Sequence, residues 1–174
     1  IPIFEPGLSE IVLRNVKAKR LLFTLEYEEA IPSSKVVFIA VGTPPKPSGK
    51  ADLSVVFEVS EKIGKHLDGY TVVVTKSTVP VGTNKKVKQA IDKVKPPKAE
   101  YDLASVPEFL REGQAISDTL HPDRVVIGTN SQKAQDFLVE LHEPIDTNYV
   151  LTNIETAEMI KYAANAFLAT KISF

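Results

Sequence analysis

Two short runs of β-branched and aromatic residues constrain the fold of this chain more than any other feature. They occupy residues 36–41 (VVFIAV) and 70–75 (YTVVVT), and neither contains a charged side chain. Uninterrupted runs of this kind are typical of strands that are covered on both faces, as in a parallel sheet. The segments between and after them have helical spacing. The sequence therefore predicts an α/β fold in which parallel strands alternate with helices.

Weaker signals extend this alternation along the whole chain. We expect further strands at residues 21–25, 101–106, 124–128 and 149–152, a helical turn at 26–31, and helices at 5–15, 52–66, 83–94, 131–141 and from 154 to the end. Asp52 and either Thr83 or Asn84 are the predicted caps of two of these helices. Such an order of elements predicts a doubly wound parallel sheet with right-handed crossovers.

Charge and composition argue against several classes of partner. The chain has 21 basic and 22 acidic residues and no basic stripe, so we do not expect it to bind nucleic acid. No apolar run approaches the roughly 20 residues of a membrane-spanning helix, and no secretory leader opens the sequence, so we expect a cytoplasmic protein. These residues contain no cysteine, which excludes disulfides, cysteine-bound zinc and a thiol nucleophile among them, and we expect no metal site.

The last predicted helix combines an apolar surface with a narrow polar seam. Its apolar residues lie almost all the way round, so we expect this helix to be buried. They are Met159, Ile160, Ala163, Ala164, Ala166, Phe167, Leu168 and Ala169. Glu158, Lys161 and Asn165 interrupt that surface within roughly 60° of one another. Two interpretations stay open, either a core salt bridge between Glu158 and Lys161 or a lysine and an amide that take part in chemistry.

Polar residues also follow the three clearest strands, at 42–45, 76–83 and 107–113. Ligands of doubly wound sheets bind at the carboxyl ends of the strands, so these loops are the candidate site. Each group also has a structural interpretation. The hydroxyls could shape turns or cap helices, the acids could be solvated, and Asp123 and Arg124 could form a surface pair. We expect His121 to have no functional role in the site.

Four segments and a short motif in register carry a resemblance to a known family. They are VFIAVGTPP (37–45), KSTVPVGT (76–83), PEFLREGQAISDTLHPDRVVIG (107–128), AEMIKYAANAFLATKISF (157–174) and IFEPGL (3–8). In this order and spacing the chain is similar, over essentially its whole length, to the nucleotide-sugar dehydrogenases of the UDP-glucose/GDP-mannose dehydrogenase family. The resemblance implies a Rossmann-like NAD-binding fold.

The resemblance also implies a reaction. Members of the family oxidise a sugar alcohol twice with NAD, through a covalent thioester on a cysteine. The ending Pro122-Asp123-Arg124 followed by Val126-Ile127-Gly128 resembles the members that convert UDP-glucose to UDP-glucuronate. UDP-N-acetylmannosamine or GDP-mannose is the alternative substrate. A different class of function, a non-catalytic α/β dimerisation module, also stays open.

Site residues follow from the same resemblance. Catalysis is expected from Thr78, Glu108, Lys161 and Asn165, with the lysine and the amide stabilising an oxyanion, Glu108 as general acid and base, and Thr78 ordering a water. The cofactor is expected at Thr43, Pro44, Ser77, Thr78 and Glu112, and the substrate at Glu108, Phe109, Leu110, Arg111, Glu112, Lys161 and Asn165.

The chain departs from the family in two places. The glycine-rich first βαβ unit that holds the cofactor pyrophosphate is absent, and so are the catalytic cysteine and its aspartate partner. We therefore expect an internal piece of a longer enzyme. Residues 1–153 would be a partial NAD-binding domain and 154–174 the start of a long helix that mediates a homodimer.

This piece alone is expected to be catalytically silent. We further expect the 36–41 strand to have an open edge, which would pair with another chain, recruit residues 21–25, or cause aggregation.

Overall fold

The computed structural model describes residues 4–174, in which five strands form one sheet with helices on both faces. The Ile3 of the IFEPGL motif lies outside the described residues. In chain order the elements are α1 (Leu8–Lys17), α2 (Tyr27–Ala30), β1 (Val36–Ile39), α3 (Ser54–His66), β2 (Tyr70–Thr75), α4 (Thr83–Asp92), β3 (Glu100–Ser105), α5 (Ala115–Leu120), β4 (Arg124–Thr129), α6 (Gln132–His142), β5 (Asn148–Thr152) and α7 (Ile154–Ser173). The predicted α/β fold that ends in a long helix is confirmed.

The sheet is parallel except at one junction. The strand order is β1-β2-β3-β4-β5, and β1, β2 and β3 run parallel to one another. β4 is antiparallel to β3, which it meets through Ala104–Thr129 and Ser105–Gly128 only, and it is parallel to β5. The prediction of a wholly parallel sheet is therefore wrong at this junction. The β3–β4 connection carries only the six-residue α5, and the chain returns from the edge where β3 ends.

Two apolar clusters hold the helices against the sheet. Alternate residues of β2 point to opposite faces, so Val73 packs in one cluster while Val72 and Val74 pack in the other. The first cluster joins β1 and β2 to α3 and α4, and the second joins β2, β3 and β4 to α6. The run of β-branched residues in β2 is thus buried on both faces of the sheet, as its sequence predicts.

The edge of the sheet differs from its centre. β1 ends at Ile39, and no further strand within residues 4–174 pairs with its outer edge. Phe38 is 38% exposed, so one face of β1 is only partly covered. The predicted strand is therefore confirmed over residues 36–39, but the prediction that both of its faces are covered is wrong. Residues 21–25 form no strand, and Leu25 is 92% exposed. The chain does not recruit this segment into the open edge.

α7 is buried over its first half only. Ala157, Glu158 and Lys161 are its buried residues, whereas Phe167 is 72% exposed and its apolar neighbours are exposed as well. The prediction of a fully buried helix is wrong because α7 contacts β3 and β4 and then extends past the sheet. Gly128 of β4 permits the close approach, since a Cβ there would lie 2.4 Å from the Cβ of Ala157.

Two predicted caps also need correction. The N-cap of α3 is Leu53, although the Asp52 carboxylate accepts a 3.0 Å hydrogen bond from the Ser54 N–H. The N-cap of α4 is Gly82, in the left-handed conformation that favours glycine. The Thr83 hydroxyl donates to the Pro80 carbonyl instead of capping the helix.

No helix within residues 4–174 is long and apolar enough to cross a membrane.

Candidate active site at the strand ends

A cavity of about 560 Å³ lies where β2 and β3 end and β4 begins. The antiparallel β3–β4 junction creates this position, because it places the start of β4 at the same edge as the carboxyl ends of the parallel strands. The cavity is lined by Lys76, Val106, Pro107, Glu108, Phe109, Leu110, Arg111, Asp118, Thr119, His121, Pro122, Asp123, Arg124, Val125, His142, Ile145 and Leu168. His121, which was predicted to have no functional role, is part of this lining.

Glu108 and Lys161 form an ion pair at the cavity. The Lys161 Nζ lies 3.4 Å from the Glu108 Oε1, and Lys161 is only 7% exposed. The second Glu108 oxygen accepts a 2.6 Å hydrogen bond from the Leu110 N–H, so the loop after β3 fixes the carboxylate. A buried ammonium needs a partner of opposite charge. The polar seam of α7 therefore supplies the cation that pairs with Glu108 of the lining, although Lys161 is not itself one of the lining residues.

Glu158 does not form the salt bridge with Lys161 that was one of the two interpretations of the sequence; it accepts hydrogen bonds from the start of α4. Its Oε2 accepts from the Gly82 N–H at 2.6 Å, and its Oε1 accepts from the Asn84 N–H at 2.9 Å and the Asn84 Nδ2 at 2.8 Å. Glu158 thus satisfies free N–H groups at the start of α4. Lys161 is left to Glu108.

Phe109 lies between two cations. The Arg124 guanidinium carbon is 5.0 Å and the Lys161 Nζ is 5.1 Å from the centre of its ring. Both distances are within the range of cation–π attraction. The ring is therefore close to a cation at the start of β4 and to a cation of α7.

Lys76 brings a second amine to the lining. Burial lowers the pKa of Lys76, the nearby Glu108 carboxylate opposes this change, and the charge of Lys161 adds to it. Lys76 and Glu108 thus line this end of the cavity, and Lys161 lies close to both. The group has a net positive charge when both amines are protonated.

Two residues of the cavity lining, Arg111 and Asp118, form a bidentate ion pair. The Asp118 carboxylate accepts from the Arg111 Nη2 at 2.6 Å, from its Nε at 3.1 Å and from its N–H at 2.8 Å. The Arg111 side chain lowers the pKa of Asp118 by these hydrogen bonds. The same loop is tied to the N-terminal segment, since Glu5 accepts from the N–H groups of Gly113 and Ala115.

The loops after β1 and β2 are joined to each other. The Thr43 hydroxyl donates to the Thr78 carbonyl at 2.9 Å, and the Ser77 hydroxyl donates to the Val41 carbonyl at 2.7 Å. Each hydroxyl keeps free lone pairs at the carboxyl edge of the sheet. Pro44 lies exposed beside Thr43. These loops form a second polar surface outside the cavity lining.

The predicted site residues thus fall into separate places. Glu108, Phe109, Leu110 and Arg111 line the cavity, and Lys161 contacts the first two. The sequence did not assign roles to Lys76, Arg124 or Asp118.

Two of the predicted residues point to solvent. Asn165 and Glu112 are exposed, and neither is part of the cavity lining. Asn165 lies one helical turn beyond Lys161, in the half of α7 that extends past the sheet.

The sequence contains only weak indications that Lys76, Arg124 and Asp118 belong to the site. Lys76 directly follows β2, which is a position typical of site residues. Nothing in the spacing indicates that Asp118 binds Arg111, because that contact depends on the turn before α5.

A polar, cationic site at the carboxyl edge of a mostly parallel sheet is the position at which doubly wound α/β domains bind their ligands. Residues 1–146 match the family described as UDP-glucose/GDP-mannose dehydrogenase family, NAD binding domain. The chain belongs to this family, whose cofactor is NAD.

Named relatives agree with the family. The chain is 53% identical to a UDP-glucose 6-dehydrogenase of Bacillus subtilis, over all of this chain and 38% of the relative. A UDP-glucose dehydrogenase structure from Pyrobaculum islandicum superposes with a TM-score of 0.95 at 42% identity, over 99% of this chain and 41% of that one. A GDP-mannose dehydrogenase from Pseudomonas aeruginosa also gives 0.95, at 36% identity over the same shares. The chain thus spans about two fifths of the length of these relatives.

Proposed function

We propose that this chain is part of a UDP-glucose 6-dehydrogenase that oxidises the C6 alcohol of UDP-glucose twice to give UDP-glucuronate. The observation that carries the proposal is the buried Lys161 ammonium, 3.4 Å from Glu108 at the wall of the strand-end cavity. When bound, NAD would supply the hydride acceptor for each oxidation.

Lys161 stabilises negative charge on the C6 oxygen. An alcohol that loses hydride passes through a state with alkoxide character, and a fixed cation at that oxygen stabilises it most where water is excluded. Lys161 is nearly buried, so its charge is weakly screened. Asn165 lies one helical turn further along α7 and is exposed, so we propose that its amide becomes a second donor only when substrate is bound.

Glu108 moves protons at the same carbon. One of its oxygens is held by the loop N–H and the other faces Lys161, so the carboxylate is fixed in position. General acid and base groups act when they lie within hydrogen-bond reach of the proton that they move. We assign Glu108 to the proton of the alcohol and later to a hydrolytic water, which the Thr78 hydroxyl helps to order.

The two joined loops after β1 and β2, together with Glu112 of the loop after β3, form the proposed cofactor side. Thr43 and Pro44 would contact the adenosine end of NAD, and Ser77, Thr78 and Glu112 would contact the nicotinamide end. Their position at the carboxyl edge of the sheet and their free hydroxyl lone pairs fit a dinucleotide. The glycine-rich turn that receives a pyrophosphate is not among these 174 residues.

The cavity supports a sugar nucleotide as the substrate. Its volume of about 560 Å³ lies within the range of small-molecule sites, about 300–1,000 Å³. The backbone from Phe109 to Glu112 would run along the sugar and offer N–H and C=O groups. Arg124 and Lys76 add positive charge that suits a diphosphate.

The covalent step needs a thiol that these residues do not contain. In the proposed reaction the thiol adds to the C6 aldehyde, the thiohemiacetal loses a second hydride to give a thioester, and water hydrolyses the thioester to the carboxylate. We therefore expect the 174 residues alone to be catalytically silent.

The proposed organisation follows from the same assignment. Residues 1–153 would form part of an NAD-binding domain, and 154–174 would begin a helix that mediates a homodimer. We place the enzyme in the cytoplasm.

GDP-mannose is the second candidate substrate. The GDP-mannose dehydrogenase of P. aeruginosa superposes with the same TM-score as the UDP-glucose dehydrogenase structure, so the backbone does not distinguish the two sugars. The higher identity to UDP-glucose enzymes favours UDP-glucose.

A substrate panel with a full-length dehydrogenase that contains these residues tests the proposal. We expect reduction of two NAD for each UDP-glucose, and much slower turnover of GDP-mannose and UDP-N-acetylmannosamine. Faster turnover of either alternative sugar would contradict the UDP-glucose assignment. Turnover by the 174 residues alone would contradict the need for the thiol.

A further inference from the structure

Glu158 is a buried acid to which the proposed mechanism gives no chemical role. It is 2% exposed and lies three residues before Lys161 on α7. Residues three apart on a helix lie on the same face. We infer that Glu158 is a positioning residue, which locks the rotation of α7 so that Lys161 faces Glu108; this inference rests on the proposed function.

The first observation is that Glu158 caps another helix. Gly82, the N-cap of α4, has no side chain to accept the free N–H groups at the start of that helix. The Glu158 carboxylate does so from outside, through the N–H groups of Gly82 and Asn84. A carboxylate at a helix N-terminus is also stabilised by the helix dipole. The polar contact therefore fixes one turn of α7 against the first turn of α4.

The second observation is that this contact continues into the sheet. The Asn84 side chain donates to Glu158 at 2.8 Å and accepts from the Thr75 hydroxyl at 2.7 Å. Thr75 is the last residue of β2 and directly precedes Lys76 of the cavity lining. Glu158 is thereby tied to the same strand end that carries the site.

The third observation is that the distance of α7 from the sheet is fixed separately. Gly128 and Ala157 are in close contact, since a Cβ on Gly128 would lie 2.4 Å from the Ala157 Cβ. This contact sets how near the helix lies, and the Glu158 contacts set its rotation. Glu158 and Lys161 lie on the same face of one helix, so a small rotation of α7 about its axis moves Lys161 away from Glu108.

A kinetic double-mutant cycle separates positioning from simple stabilisation. In the full-length dehydrogenase we expect Glu158→Gln to lower kcat by about 10²-fold, which is the size of effect that a misplaced catalytic group produces, with little change in the KM for UDP-glucose. In a Lys161→Met background the same change should cost little more. Equal losses in both backgrounds, or no loss in the first, would overturn the inference. Glu155→Gln, at an exposed acid in the first turn of α7, is the matched control and should leave kcat unchanged.

Acetylation of the full-length dehydrogenase by acetic anhydride tests the same inference without turnover. Mass spectrometry should show that Glu158→Gln accelerates modification of the buried Lys161 and leaves the exposed Lys98 unchanged. If Glu158→Gln does not fold, Asn84→Ala removes one of the three contacts and should act in the same direction. An unchanged rate at Lys161 would overturn the inference. Failure of the wild-type enzyme to oxidise UDP-glucose would instead overturn the proposed function.

Discussion

The two halves of α7 have similar apolar content but different surroundings. The first half buries Ala157, Glu158 and Lys161 against the sheet and α4, whereas the second half exposes Phe167 and its apolar neighbours. In the first half the buried groups include two charges, and each has a partner of opposite charge or a set of N–H donors. The comparison shows that position over the strand ends, and not hydrophobicity, decides which part of this helix is buried.

The largest expected effect separates the halves by activity. Lys161→Met in a full-length dehydrogenase should lower kcat by about 10²–10³-fold, because the C6 oxyanion loses a fixed cation. Lys171→Met, in the exposed second half, is the control and should leave kcat unchanged. Steady-state kinetics with UDP-glucose measures both. Comparable losses in the two variants would show that the halves do not differ in function.

The next effect concerns the packing of the first half. Gly128→Ala would place a methyl group 2.4 Å from the Ala157 Cβ and 2.6 Å from the Asn153 carbonyl oxygen. Such overpacking typically costs about 1–3 kcal/mol of unfolding free energy. Chemical denaturation measures the loss. Gly42→Ala is the control, because no atom lies within 4 Å of its added Cβ, and equal stability of both variants would contradict the close contact.

A smaller effect on stability is expected in the second half. Phe167→Asp should change the unfolding free energy of the 174-residue chain by less than about 0.5 kcal/mol, as is usual for exposed positions. In the full-length enzyme the same change should weaken the proposed homodimer, which analytical ultracentrifugation measures. A dimer that is unaffected would remove α7 from the interface.

The smallest expected effect is a change in the pH dependence of one amine. Burial lowers the pKa of Lys76, so its acetylation should begin at a lower pH than that of an amine with the ordinary value of 10.5. Glu108→Gln should lower the pKa of Lys76 further, and Lys161→Met should raise it, because the first removes an opposite charge and the second a like charge.

The direction in which stability changes with pH follows from the lowered pKa of Lys76. Above the lowered pKa the unfolded chain binds more protons at Lys76 than the folded chain does, so this group makes stability rise with pH up to about 10.5. A pH midpoint for Lys76 acetylation at or above the ordinary value would contradict its burial beside Lys161.

Local patterns predicted most of the fold. The runs at 36–41 and 70–75 indicated strands, and the alternation of elements indicated the doubly wound sheet. Hydrophobic periodicity indicates where strands and helices lie along the chain, however, and not whether neighbouring strands pair parallel or antiparallel. The antiparallel position of β4 depends on a connection whose short helix α5 has no clear sequence signal.

The candidate site was predicted less completely, because its contacts are distant in sequence. Glu108 and Lys161 were singled out, but their pairing spans 53 positions and the Glu158 contacts span up to 76. The helical spacing placed Glu158 beside Lys161, so the sequence could not decide between a salt bridge of these two residues and a chemical role for Lys161. The exposure of the second half of α7 was not predicted either, because an apolar sequence does not indicate whether another part of the protein covers it.

The central claim is that Lys161 and Glu108 meet the reacting carbon of a sugar nucleotide. A crystal structure of a full-length dehydrogenase that contains these residues, with UDP-glucose bound, tests it most directly. We predict that the sugar occupies the strand-end cavity, with its C6 oxygen within hydrogen-bond reach of the Lys161 ammonium and beside the Glu108 carboxylate. A sugar bound elsewhere, or a Lys161 ammonium that faces bulk solvent, would contradict the assignment.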